Sequence, residues 1–141
     1  MSGFVRLILL CLVLLGSGAS ASACTLAFAS GFQVPEGRIA GLELTLRHGA
    51  VTSVKDVPIG WRLVIDNDPS WNMTVSGQAI VGAAFLPPAT VPALSFMIVP
   101  EPGHACSAPV APDSLKLKLR IYRADKLRDV VVPASSLVLT E

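Results

Sequence analysis

Apolar and polar residues alternate along much of this chain. Leu42, Leu44 and Leu46 are interleaved with Glu43, Thr45 and Arg47, and Trp61, Leu63 and Ile65 with Arg62, Val64 and Asp66. Successive side chains of a strand point to opposite faces, so a period of two predicts half-buried strands with one core row and one solvent row. The clearest case sets Leu115, Leu117, Leu119 and Ile121 against Lys116, Lys118, Arg120 and Tyr122. Further strands are predicted over 25–29, 51–57, 72–76, 78–85, 94–99, 127–132 and 137–140, most of them bounded by Gly, Pro, Asp or Asn. No segment carries the stripe of an amphipathic helix.

About ten short strands at intervals of roughly ten residues predict an all-β chain, a single antiparallel β-sandwich that is Ig-like in the broad sense. Seven of the eleven prolines fall between Pro87 and Pro112. Proline lacks the amide donor and pushes its predecessor into extended geometry. The 87–112 segment is therefore expected to be an irregular crossover interrupted by one strand. A sandwich accommodates such a crossover better than a closed barrel does. The strand rhythm resembles that of exported Ig-like or cohesin-like sandwich modules; the resemblance implies a fold and carries no activity with it.

The N-terminus departs from the alternating pattern. Arg6 is its only charge, Leu7 to Leu15 is an apolar run, and Gly16 to Ala23 is small and polar. This is the layout of a secretory signal peptide, here residues 1–23, with the folded domain at 24–141. The apolar run is too short for a hydrocarbon core that needs about 20 helical residues. Cleavage after Ala21-Ser22-Ala23 makes Cys24 the first mature residue, and cleavage after Ala21 is the alternative. A cysteine there raises a lipid anchor at Cys24, but Ala21 stands where a lipobox favours leucine. The composition suggests bacterial-type export to the periplasm or the cell exterior.

Loss of Arg6 with the signal leaves ten Lys and Arg against ten Asp and Glu. A neutral chain has no global field to attract nucleic acid or anionic membrane, which argues against both as partners. Cys11 also leaves with the signal, so Cys24 and Cys106 remain in an oxidising compartment and are expected to pair.

The sequence offers little chemistry. It has no phosphate-cradling glycine loop and no nucleophile elbow, and its histidines are His48 and His104. His48, in Arg47-His48-Gly49, reads as a solvated turn residue. His104 lies two residues from Cys106, and with Met73 and Met97 these are ligand types that exported copper proteins use. Both methionines sit inside strand patterns, however, and Cys106 has a better use in a disulfide. No catalytic residue, metal ligand or cofactor is therefore expected. The most distinctive stretch is Asp66-Asn67-Asp68-Pro69-Ser70-Trp71-Asn72. It lacks the spacing of a calcium loop and reads as an Asx turn stiffened by proline. Trp71 is expected to pack under this loop and close one end of the sandwich. The competing reading is an exposed Trp71 beside Asp66, Asp68 and Asn72 that combines a flat stacking surface with polar groups, which makes these four the candidate binding residues for a protein or glycan. Trp61 is expected in the core. Asn72-Met73-Thr74 matches a glycosylation acceptor by chance. The Lys116, Lys118 and Arg120 row is expected to be a solvated face, the competing reading being an anionic ligand site.

These features predict a small, non-enzymatic binding or structural module with an unidentified partner. One alternative is a subunit of a surface fibre or envelope assembly that uses strand addition at 137–140 or another open edge. The other is a copper carrier or minor enzyme using His104.

Overall fold

The computed structural model describes residues 23–34, 36–67, 73–88, 90–107 and 113–141. These form nine strands: β1 (Cys24–Phe28), β2 (Arg38–Leu46), β3 (Gly49–Lys55), β4 (Trp61–Asn67), β5 (Met73–Ala79), β6 (Ser95–Pro100), β7 (Leu115–Arg123), β8 (Lys126–Val131) and β9 (Leu137–Thr140). Single turns of 3-10 helix cover Gly82–Ala84 and Ala134–Ser136. The strands make two sheets, ordered β3-β6-β1-β9 and β4-β5-β2-β7-β8, and every pairing is antiparallel. Among the described residues no helix is long and apolar enough to cross a membrane.

The inner rows of the two sheets share one apolar core. Leu26, Phe28, Val51, Phe96 and Ile98 come from the first sheet, and Leu42, Leu44, Leu46, Val75, Leu117, Leu119 and Ile121 from the second. Truncating a buried leucine such as Leu44 or Leu117 to alanine removes both transfer energy and packing, at a typical cost of about 2–5 kcal/mol.

Two expectations need correction. The segments 72–76 and 78–85 are not two strands. Gly77, which looks like punctuation, lies mid-strand in β5 opposite Leu42 and Leu63. A Cβ there would meet a Leu63 methyl at 3.0 Å, so the glycine accommodates core side chains and does not end the strand. The chain leaves the sheet after Ala79, where the Ile80 amide donates to the Gly60 carbonyl, and then enters the first 3-10 turn. That turn caps Trp61, which is buried as expected and donates its indole N–H to the Ala84 carbonyl at 2.8 Å. Ile65, expected in the same core row, remains 41% exposed. It lies near the far end of β4, which among the described residues is an edge strand paired on one flank.

The disulfide links Cys24, the first residue of β1, to Cys106 in the loop after β6. Their α-carbons are 5.9 Å apart, within the span a disulfide requires, and both residues are buried. Closing a loop of 82 residues restricts the unfolded chain by about 4–5 kcal/mol in the entropic account. It also ties the first described strand to the loop after β6. Cys106→Ser is therefore expected to lower unfolding free energy by about 2–5 kcal/mol in a denaturant titration. Non-reducing peptide mapping of the parent protein should yield one linked Cys24–Cys106 fragment, whereas two alkylatable thiols in the native protein would contradict the crosslink.

Candidate functional site

Pairings at one end of the five-stranded sheet bring distant segments together. Leu46 pairs with both Met73 and Leu115, and Asn67 also pairs with Met73. The β2–β3 corner therefore lies at the same end as the finish of β4 and the starts of β5 and β7. From β2 the chain crosses directly into the other sheet through Arg47 and His48, and Gly49 then pairs with Pro100. His48 has φ +60°, a left-handed conformation that histidine adopts more readily than most residues. Its carbonyl accepts the Glu101 amide at 3.0 Å, which joins the corner to the loop after β6.

That loop begins Glu101-Pro102-Gly103-His104. Proline sets the φ of the first central position, while Gly103, at φ +83°, supplies the left-handed second position of a type II turn. The His104 amide closes the turn on the Glu101 carbonyl at 3.0 Å. The first and fourth residues of such a turn stand side by side, so the Glu101 and His104 side chains converge. Glu101 Oε2 lies 3.9 Å from His104 Nδ1 and 3.5 Å from His48 Nδ1. The two imidazoles stack with centroids 5.2 Å apart and planes 12° from parallel. Two residues on, Cys106 ties the far side of the loop to β1.

His48, Glu101 and His104 thus form a compact cluster, with one ligand-capable atom from each lying within 4.8 Å of the others. The side chains keep 48%, 48% and 42% of their exposure, so the cluster is open to solvent. The Pro-Gly pair flanked by Glu and His is the local sequence signal for two of the three residues of this site. Recruitment of His48, more than 50 residues earlier, has no such signal.

The copper set around His104 is not assembled. Cys106 is in the disulfide, and Met73 is buried, with its sulfur accepting the Val51 amide at 2.7 Å. Met97 lies on β6 between the core residues Phe96 and Ile98, in the opposite row of the strand. His104 instead has Glu101 and His48 as neighbours. Of the four candidate binding residues, Asp66 is exposed on β4 opposite Thr74. Asp68, Trp71 and Asn72 lie outside the described residues. Asn67 and Met73, which flank that stretch, are at the same end of the sheet as the β2–β3 corner.

The basic row on β7 is largely neutralised. Lys118 lies opposite Glu43 at 3.5 Å, and Arg120 opposite Asp129 at 3.4 Å. These four side chains, with Ser76 and Gln78, line a shallow depression of about 150 Å³ in which positive and negative charges are matched. That balance fits a solvated face better than an anion site. A larger groove of about 420 Å³ runs beside β8, bordered by Phe32, Val34, Leu119, Ile121, Val130 and Val132.

Tyr122 lies near the hairpin that joins β7 to β8, whose turn residues Ala124 and Asp125 both have positive φ. Its hydroxyl donates to the Asp125 carboxylate at 2.6 Å. That hydrogen bond, followed by repulsion from the carboxylate charge, raises the phenol above its usual value near 10. The protonated phenol is favoured in the folded state. Its contribution is therefore present below the ordinary phenol range and is lost as pH rises through the raised value. This is the only tyrosine in the chain, so its absorbance titration is free of overlap. The midpoint should lie above that of a free tyrosine and fall toward it in Asp125→Asn. At the other end of the molecule, Gly103→Ala should cost about 1–2 kcal/mol through the left-handed φ. It should also broaden the His104 ring resonances in NMR spectra, while an unchanged melting curve would contradict the turn assignment.

Compared with known proteins, the chain matches no family model, no curated protein and no solved structure.

Proposed function

We propose that this chain is an exported, non-enzymatic β-sandwich module, Ig-like in the broad sense, that binds through the end bearing His48, Glu101 and His104. The observation that carries this reading is the convergence of two separate loops on one compact polar cluster, held by backbone hydrogen bonds and by the Cys24–Cys106 crosslink. Preorganised groups at loop ends on a rigid two-sheet frame are a common form of recognition surface. The openness of the cluster favours binding over catalysis, which generally gains from excluding water. Asp66 at the same end extends the polar surface. Export is supported by the signal-like residues 1–23 and by the disulfide. The bond to Cys106 also occupies the thiol that a lipid anchor would need.

The edge strands support a second reading, assembly by strand addition. Among the described residues β9 (Leu137–Thr140) and β8 each leave one flank open, and all six residues of β8 are exposed, including Leu127 and Val131. Unpaired edges of this kind accept a strand from another chain. Photo-crosslinking in the producing cell separates the two readings. A photoreactive residue at Ala105 should give one discrete adduct, with none from Leu127 or Val138. Adducts from an edge position alone would favour assembly and overturn the turn-end reading. Intact mass of the exported pool should begin at or near Cys24; retention of Met1 would remove the export reading.

A further inference from the structure

We infer that His48, Glu101 and His104 bind a divalent transition-metal ion of the zinc and copper(II) class. This rests on the proposed turn-end reading and specifies its ligand. Two imidazole nitrogens and one carboxylate oxygen suit zinc and copper(II), whereas calcium takes six to eight oxygen ligands. Ligand atoms about 2.0–2.1 Å from a tetrahedral ion lie roughly 3.4 Å from one another. The 3.5 Å separation of His48 Nδ1 and Glu101 Oε2 already matches that edge, and the 3.9 Å separation of His104 Nδ1 needs only a small side-chain rotation. Three protein ligands leave a fourth position for water or for a donor from a partner.

The backbone supports the same assignment. Glu101 is hydrogen bonded to the His48 carbonyl, His104 is fixed by the type II turn, and Cys106 anchors the loop two residues later. An ion binding here orders few additional residues, so little of its binding energy is spent on rearrangement. The left-handed φ of His48 places an otherwise costly conformation at a prospective ligand, as often occurs at binding positions. The His48 and His104 rings lie nearly parallel with centroids 5.2 Å apart, so joint coordination turns the rings until both in-plane lone pairs meet the ion beside the Glu101 carboxylate.

The test uses the mature, disulfide-intact protein without an affinity tag, titrated calorimetrically with zinc or copper(II) alone and with calcium as a control. The expected result is one zinc or copper(II) ion per chain and no calcium binding. His48→Asn, which tolerates the left-handed φ, and His104→Ala should each weaken binding at least tenfold, and Glu101→Gln should weaken it severalfold. Their circular dichroism and melting curves should be unchanged, which separates ligand loss from unfolding. Imidazole resonances of His48 and His104 should shift together on zinc addition. Failure to saturate with either ion, or equal affinity in the parent and either histidine variant, would overturn the assignment. If the parent saturates with neither ion while the Ala105 adduct persists, the metal assignment fails and the turn-end reading survives; absence of that adduct from the parent overturns the reading itself.

Discussion

Burial of two apolar rows against each other is the constraint on which the rest of this structure depends. Leu26, Phe96 and Ile98 from one sheet and Leu42, Leu44, Leu46, Leu117 and Leu119 from the other are almost wholly removed from water. A register slip of one residue in β2 or β7 would turn its leucines outward and bring Glu43 or Lys118 into the core. Hydrophobic burial therefore selects the strand register, and that register determines which residues occur together at each end of the sheets.

The site follows from that register through short connections. Because β2 and β3 belong to different sheets, two residues must carry the chain across the layer, and His48 takes the left-handed position. The loop after β6 returns to the same corner because Gly49 pairs with Pro100. The disulfide adds a covalent constraint where few apolar contacts are available, holding the exposed 101–105 loop against the start of β1. The solvent face of the larger sheet shows a different use of charge, with Glu43 opposite Lys118 and Asp129 opposite Arg120. Such exposed pairs contribute little stability individually but leave the face without a single-sign field.

Local rules identified most strands because alternation is itself a record of burial on one face. They failed at Gly77, where a residue that commonly interrupts structure instead provides room beneath Leu63. They also overstated the core row at Ile65, since alternation specifies a face but not whether an opposing layer covers it. The stretch Asp66–Asn72 is conspicuous because its polar and aromatic residues are adjacent in sequence. The cluster of His48, Glu101 and His104 is not, because its first member is remote from the other two.

The sequence by itself determined that the chain is built from strands, that Trp61 belongs to the core, that His48 lies in a turn, and that Cys24 and Cys106 are suited to pair. Each of these depends on local periodicity, local turn chemistry or a count of two cysteines. Tertiary structure alone decided the sheet order, the engagement of the Met73 sulfur by the Val51 amide, and the meeting of His48 with Glu101. Those outcomes depend on which strands become neighbours when two apolar faces are buried together. That choice is made by packing between distant segments and leaves no periodic signal within either one.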